Sequence, residues 1–254
     1  MKGKYNSQPT KAVVAPVMSE DRAAINRARR VAHKLGMKAS DVRPFLLKMY
    51  APLVANNSSL KFQTNLVNGQ HPMEILLDKS DAFYGHKVGL AIHQVKLDAN
   101  GKEIPANTRL IHYVDKNLFS GPAIAPGITS EAESLQMLYN SLLFLKTDQD
   151  VRLENFSTEV FETIPETQYD PAAPSTAWGK EGTEAKDLGM SFGVYGNKRN
   201  EMRIELPGEA GDYSAIAGVP GVTRNYAVLL FKGFIIVRGA EALTKGDAAQ
   251  LLNF

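Results

Sequence analysis

The chain has 254 residues, of which 44% are hydrophobic and 22% are charged, so it can build one large β-rich domain or two small ones around a real core. It contains no cysteine, which excludes disulfide bonds and thiolate metal sites, and no apolar run approaches the roughly 18 residues that a transmembrane helix needs. The net charge of +2 hides an asymmetry: residues 1–53 hold eleven Lys and Arg against three acids, a charge of +8, whereas the remainder carries −6.

The first predicted element is an extended basic arm over residues 1–18, because this stretch lacks periodicity and contains Pro9 and Pro16. Its short, broken apolar patch argues against a signal peptide. A helix then begins at Ser19, a typical N-cap, and ends at Gly36, which tolerates the left-handed conformation beyond a helix C-terminus. Apolar residues at helical spacing predict one buried stripe: Ala24, Ala28, Val31, Ala32 and Leu35.

The basic residues of this helix lie outside the apolar stripe. They are the candidate polyanion-binding residues Arg22, Arg27, Arg29, Arg30 and Lys34. Such a segment favours contact with nucleic acid, with a membrane surface or with an acidic neighbouring subunit, although it is also typical of a solvated amphipathic helix. Ser40 and Asp41 predict the start of a second helix, which Pro44 and Pro52 interrupt, so residues 19–58 are interpreted as a helical segment.

The stretch RRVAHKLGMKASDVRPFL, residues 29–46, resembles the helix-turn-helix of DNA-binding proteins. Gly36, Val42 and Phe45 come at the spacing that this motif uses for its turn and its interhelix contacts. The resemblance implies an alternative function, a nucleic-acid-binding regulator with a β-rich oligomerisation or ligand domain. Pro44 departs from the pattern because it would remove a hydrogen bond inside the recognition helix, and a plain helical hairpin explains the same residues.

From residue 59 to residue 254 the sequence shows the two-residue period of β-strands, which predicts a β-sandwich body. LKFQTNLV and TRLIHYV are predicted strands. In HKVGLAIHQVKLD the apolar phase slips by one residue between Ile92 and Val95, which predicts a β-bulge. Asn100-Gly101 then predicts a hairpin turn.

Residues 130–146 fit both a helix and a strand. Ser130 and Glu133 match a capping box, and we therefore predict a short helix to about Asn140, followed by a strand. TDQD, residues 147–150, is then the turn of a hairpin between LLFLK and VRLENF, and EVFETI is the next predicted strand.

Residues 165–187 form a predicted long loop with three prolines, two glycines and the only tryptophan, Trp178, which is a candidate anchor for subunit contact. MSFGVYG and MRIELPG are two predicted strands joined by a turn at NKRN. YAVLLFKGFIIVRG is either one long buried strand or a hairpin that turns at Lys232-Gly233, and a short helical tail follows. About ten to twelve strands without strand–helix alternation disfavour a doubly wound α/β fold and predict a mainly β protein.

The sequence lacks the motifs of common catalytic and cofactor sites: Gly-x-Gly-x-x-Gly after a strand, the P-loop, His-Glu-x-x-His and Gly-x-Ser-x-Gly. The best candidate metal group is His86, His93 and His112, and a third hypothesis, a β-barrel isomerase or hydrolase, depends on it. Ordinary hydrogen-bonded histidines are the simpler interpretation. We therefore predict no enzyme activity, no cofactor and no metal.

A basic N-terminal segment before a β-rich body, with long Pro/Gly loops and no cysteine, resembles the organisation of coat proteins of icosahedral viruses and tailless phages. LYNSLLFLKTDQDVRLENFSTEVFETIPETQ is similar to strand-turn-strand segments of those capsid proteins. The resemblance implies a jelly-roll-like antiparallel sandwich, either one decorated roll or a compact double roll, behind the basic arm and helical hairpin. It also implies a virion structural protein, assembled in the host cytoplasm, that contacts copies of itself, for example as a trimer, and other virion proteins. Its basic segment would face genome or membrane.

Overall fold

The computed structural model describes residues 19–65, 71–104, 110–115, 118–119, 130–148, 150–163, 185–208 and 215–244. The helices are α1 (Ser19–Lys34), α2 (Glu131–Gln136) and α3 (Gly239–Thr244). The strands are β1 (Val42–Pro52), β2 (Ser59–Phe62), β3 (Ala82–Leu97), β4 (Glu103–Ile104), β5 (Leu110–Ile111), β6 (Leu142–Thr147), β7 (Asp150–Ser157), β8 (Lys186–Tyr195), β9 (Asn200–Glu205) and β10 (Thr223–Ile236). The predicted arm over residues 1–18 and the candidate anchor Trp178 lie outside the described residues.

The strands form two antiparallel sheets, so the prediction of a mainly β protein is confirmed. In the first sheet β10 lies between β1 and β3, and the other edge of β3 pairs in turn with β8, β5 and β4. In the second sheet the order is β2-β9-β6-β7. β8 and β9 are consecutive along the chain but belong to different sheets, so the predicted turn at NKRN carries the chain from one sheet to the other.

An apolar core fills the space between the two sheets. The first sheet contributes, among others, Leu47, Leu90, Ile92, Leu229 and Phe231. The second sheet contributes, among others, Leu60, Phe62, Leu143, Leu145 and Ile204. These ten side chains are at most 2% exposed. Because burial of one such side chain stabilises a fold by about 1.5–3 kcal/mol, this shared core is what holds the sheets face to face.

The two central strands of the first sheet, β3 and β10, are buried on both faces. Ile92 and Leu229 point into the core between the sheets, whereas Ala91 and Val228 belong to a separate apolar cluster on the outer face. Strands that are covered on both sides read as continuous apolar runs and not as alternating ones. The alternation of apolar residues therefore does not indicate where a bulge lies in these two strands.

The predicted bulge between Ile92 and Val95 is wrong for this reason. The pairing of β3 with β10 is regular there, and the register shift lies beside Gly233, where His86 is the extra residue of β3. β10 continues through this point from Thr223 to Ile236 as one strand, so Lys232-Gly233 is not a hairpin turn.

Helix α1 packs on the outer face of the first sheet and covers one end of it. The predicted stripe is confirmed, since Ala24, Ala28, Val31 and Ala32 are buried and Leu35 is half-buried. The residues that receive the stripe are Val42, Ala82, Tyr84, Tyr195, Phe234, Ile236 and Ala240. Small alanine side chains on the contact face let the helix lie close to the sheet.

The second predicted helix is wrong, because Val42–Pro52 form strand β1. β1 pairs with β10 along its whole length, and its inward side chains, such as Leu47 and Met49, enter the core between the sheets. Pro44 is tolerated because β1 ends the strand order of its sheet, where a missing backbone N–H costs little. Long-range pairing has thus overridden the local preference for helix.

The helical segment predicted over residues 19–58 therefore ends early. α1 stops at Lys34, and only a single 3₁₀ turn, Ala39–Asp41, precedes β1. Residues 29–46 do not form a helix-turn-helix, because β1 takes the place of the recognition helix. The alternative function, a regulator that reads DNA with this motif, loses its structural basis.

Several local signals are confirmed. Asn100-Gly101 lies in the turn between β3 and β4, where Gly101 has a φ of 76° and its N–H donates to the carbonyl of Asp98 at 2.9 Å. Ser130 and Glu133 form the reciprocal capping box that begins α2. TDQD joins β6 to β7 as a hairpin.

The predicted strand at EVFETI is wrong, because Thr158–Phe161 form a 3₁₀ turn. The hydroxyl of Thr158 donates to the carbonyl of Leu138 at 2.7 Å and accepts from the N–H of Ser141 at 2.9 Å. Phe161 is fully buried in the core. These contacts tie the chain to the end of α2, so the segment cannot extend the ladder of β7.

A substitution of Gly233 tests how closely β10 and β3 approach each other at the bulge. A Cβ atom at this position would lie 2.1 Å from the carbonyl oxygen of Tyr84 and 2.8 Å from the Cα of Gly85. Because both atoms are backbone, we expect Gly233→Ala to lower the free energy of unfolding by about 3 kcal/mol, measured by urea denaturation. Gly101→Ala is the control: it meets open space but has a positive φ, and should cost about 1–2 kcal/mol. Equal losses would contradict the steric explanation.

Candidate functional site

The candidate site is the face of α1 that points away from the first sheet. The five predicted polyanion-binding residues are all exposed on it: Arg22, Arg27, Arg29, Arg30 and Lys34. At 3.6 residues per turn they occupy an arc of roughly 160°, opposite the buried alanine stripe. The packing of the stripe against the sheet therefore fixes the direction in which the basic face points.

Among the side chains that the structure describes, no acid neutralises the arginines of this face. Within the part of the chain that the structure describes, none of its four arginines makes a hydrogen bond or an ion pair. In the sequence, Asp41 is the only acid between Arg22 and Met73. Its carboxylate already accepts a hydrogen bond from the backbone N–H of Lys38 at 2.9 Å. The guanidinium groups therefore remain available to an external anion.

An open groove of about 480 Å³ runs along the C-terminal half of this face. Its lining residues are Asn26, Arg29, Arg30, His33, Met37 and Ala39. Two guanidinium groups, an amide and an imidazole thus border one groove. Guanidinium groups match the oxygen geometry of phosphate and carboxylate in pairs, so the groove can hold an oxyanion such as a backbone phosphate.

The three histidines of the candidate metal group lie in separate surroundings. The ring of His86 stacks on Phe234, in the apolar cluster under α1. Nδ1 of His112 is 3.0 Å from the carbonyl oxygen of Leu90. His93 lies among other rings on the outer face of the first sheet. Among the described residues, no three His, Cys, Asp or Glu side chains are placed to share a metal ion.

A cluster of rings that the sequence does not reveal lies on the outer face of the first sheet. We call it the His71 cluster, and it consists of Tyr50, His71, His93 and Tyr226. The ring of His71 stacks on Tyr50 with a centroid separation of 4.2 Å and an interplanar angle of 9°. His93 and Tyr226 present edges to His71 at 5.6 and 4.9 Å. These residues come from three strands and a connecting segment, so only the register of β1, β10 and β3 brings them together.

Two glutamates border the His71 cluster. Glu103 accepts a hydrogen bond from the hydroxyl of Tyr226, and its other oxygen lies 3.2 Å from Nε2 of His71. Arg224 forms an ion pair with Glu103 at 3.3 Å. Glu74 accepts from the backbone N–H groups of Tyr50 and His71, both at 3.0 Å. The carboxylates are therefore held by the cluster and by the strand edge beneath it.

Burial sets the protonation of the His71 cluster. It lowers the pKa of His93 to about 4, with a further contribution from the nearby His71 and Lys48 charges. Burial also lowers the pKa of His71, although the charge of Glu103 opposes that shift. It raises the pKa of Tyr50 and Tyr226. At neutral pH the cluster consequently holds neutral imidazoles and neutral phenols.

The side chains of the His71 cluster are buried. Tyr50, His71, His93 and Tyr226 are 0, 9, 1 and 5% exposed. The basic face of α1 is therefore the better candidate for contact with a partner.

No protein-family model, curated protein or solved structure matches the chain. Among the described helices, none combines the length and the apolar character required to span a bilayer. The candidate function accordingly depends on the geometry of the fold and of the basic face.

Binding to a single-stranded DNA oligonucleotide tests the basic face of α1. We expect Arg29→Ala combined with Arg30→Ala to weaken binding and to reduce the slope of log K against log salt concentration by about 1.4, because each lost phosphate contact contributes about 0.7 for single strands. Fluorescence anisotropy across a salt series measures both quantities. The control is Lys61→Ala with Lys102→Ala, which removes the same charge from exposed residues outside α1. An equal effect of the two double variants would show that net charge alone is responsible.

Proposed function

We propose that the chain is a structural subunit of a virion, a capsid protein with a jelly-roll body that assembles with copies of itself and performs no catalysis. The observation that carries the proposal is the order of the strands in the two sheets. Within the described residues, eight strands remain when the two-residue strands β4 and β5 are set aside.

Numbered along the chain, these eight strands divide between the sheets in a regular way. The first sheet contains the first, eighth, third and sixth strands, and the second sheet contains the second, seventh, fourth and fifth. The first therefore pairs with the eighth, the second with the seventh, the third with the sixth and the fourth with the fifth. A long hairpin that rolls up into two sheets has this order. Eight-stranded jelly rolls occur in viral capsid proteins, and the count of eight favours one decorated roll over a double roll.

The distribution of side chains supports a structural role over a ligand-binding one. Jelly rolls also occur in lectins and cupins, and a ligand site needs a pocket with converging polar groups. The inward residues of the central strands are instead apolar and buried, namely Val88, Leu90, Ile92, Leu229 and Phe231. A filled interior leaves the outer surfaces and loops for interaction, as a shell-forming subunit requires.

The basic face of α1 favours nucleic acid over a membrane as its polyanion. An amphipathic helix binds a bilayer by inserting its apolar face among the lipids. In α1 that face is occupied, because Ala28 and Ala32 are fully buried against the first sheet. Guanidinium groups remain for an external partner, and phosphate oxygens are their preferred ligands. We therefore propose that this face lies against the genome.

The remaining partners follow from the same proposal. Copies of the chain would form a homo-oligomer, for example a trimer, and would contact other virion proteins after assembly in the host cytoplasm. Val54, Val151 and Val222 lie at or near strand ends and are 51, 54 and 55% exposed, which makes them candidate contacts between copies. Trp178 stays a predicted anchor, although it lies outside the described residues.

Assembly of the purified protein tests the capsid proposal. We expect light scattering coupled to size-exclusion chromatography, followed by negative-stain microscopy, to show discrete oligomers or closed particles. Arg29→Ala with Arg30→Ala should give particles of the same size with less bound nucleic acid, because these side chains lie outside the apolar packing. A protein that stays monomeric at its highest soluble concentration would overturn the proposal.

A further inference from the structure

The segment of residues 71–75, which we call the strap, lies along the edge of β1, and the two residues that follow it, Leu76 and Leu77, are buried in the core between the sheets. Ile75 exchanges two backbone hydrogen bonds with Lys48 of β1, at 2.8 and 2.9 Å. Glu74 accepts from the backbone of Tyr50, and the ring of His71 covers the ring of Tyr50 at 4.2 Å. The strap is thus fastened to β1 by a short ladder, a carboxylate and one stacked imidazole.

One side-chain hydrogen bond of His71 indicates where its proton lies. Nδ1 accepts a hydrogen bond from the backbone N–H of Met73 at 3.1 Å, so this nitrogen carries no proton. The proton of the neutral ring is therefore on Nε2, which faces the Glu103 carboxylate at 3.2 Å. The bond to Met73 closes a tight turn at the start of the strap, in the way that an Asn side chain closes an Asx turn.

A second proton on His71 has only one place to bind. It must occupy Nδ1, where it would face the N–H of Met73 and replace an acceptor with a donor. The turn would lose its hydrogen bond and gain a repulsive contact. The resulting imidazolium would also lie 5.6 Å from the ring of His93, which is 1% exposed and whose Nδ1 has no hydrogen-bond partner among the described residues.

We propose that the strap is an acid-sensitive latch: protonation of His71 breaks the turn at Met73 and releases residues 71–75 from the edge of β1, while Leu76 and Leu77 stay in the core. Release would uncover the ring of Tyr50, which belongs to the outer apolar cluster with Val228 and Leu230. The latch would therefore expose an apolar surface in acid. It is independent of the capsid proposal, because a monomer can show the same local opening.

Opposing charges act on His71, and burial decides between them. The titratable and charged groups that face His71 or its partner Glu103 are Lys48 and Tyr50 of β1, His93 of β3, Arg224 and Tyr226 of β10, and Glu74 of the strap. Burial lowers the pKa of His71 and the charge of Lys48 adds to this, whereas the charges of Glu103 and Glu74 raise it. The net pKa lies below the ordinary value.

The sign of the pH effect follows from this lowered pKa. An open strap returns His71 to its ordinary pKa of about 6.5, so the open form binds more protons than the closed form. The closed strap therefore loses stability as the pH falls below about 6.5. His93 has a pKa of about 4 in the closed form, and exposure of His93 on opening would also favour the open form in acid.

Hydrogen–deuterium exchange of the 254-residue chain, measured by mass spectrometry at about pH 7.4 and about pH 5, tests the latch. We expect the protection of the strap amides, corrected for the intrinsic exchange rate at each pH, to fall about tenfold or more in acid. In His71→Asn the side-chain oxygen can accept the same N–H from Met73 but cannot titrate. Its strap should lose less protection in acid than the strap of the wild type, because only the contribution of His93 remains. His33→Asn changes an exposed histidine of α1, away from the strap, and should leave the strap's loss of protection in acid as large as in the wild type.

Two results would overturn the latch: unchanged strap protection of the wild type in acid, or the same fall in His71→Asn as in the wild type. If His71→Asn does not fold, the measurement on the wild type still tests the latch. Imidazole nitrogen shifts from a pH titration by NMR should show His71 protonated on Nε2 at neutral pH, and charged only where the strap loses protection. A charged His71 under a fully protected strap would equally reject the proposal.

Discussion

The constraint on which the rest of the structure depends is that β3 and β10 are apolar on both faces. A sheet of this kind cannot leave either face in water, because each exposed large side chain forfeits about 1.5–3 kcal/mol. The second sheet covers the inner face, where residues such as Leu90 and Leu229 are fully buried. The outer face needs separate cover, and α1 and the His71 cluster provide it over different parts of the sheet.

This need for cover determines what each covering element presents to the outside. Because the apolar stripe of α1 packs against the first sheet, the side chains that face outward are polar and basic. The ring of Tyr50 lies on the edge strand β1, so a flat ring from a separate segment can cover it. The ring of His71 does so by stacking on Tyr50. The basic face of α1 and the stacked His71 thus both result from the need to cover the outer face of the first sheet.

One group of buried polar side chains beside this apolar sheet forms a hydrogen-bonded network. The carboxylate of Glu131, which is 4% exposed, accepts from Asn225 at 2.7 Å and from Gln94 at 3.1 Å. This network ties the first turn of α2 to the central strands of the first sheet. Unsatisfied groups at the same depth would cost about 1–3 kcal/mol each, so the polar contacts also restrict how α2 can dock.

The sequence by itself determined those features that depend on neighbouring residues: the apolar stripe of α1, the capping box at Ser130, the turns at Gly101 and TDQD, and a mainly β body. Only the tertiary structure decided that Val42–Pro52 form a strand, because the pairing partner of β1 lies almost two hundred residues away in β10. The same holds for the bulge at His86 and for the His71 cluster, since neither is encoded by a local period. Local patterns report hydrogen bonds within a turn or a helix, whereas strand register and the cover of an outer face are set by contacts between segments that are distant in sequence.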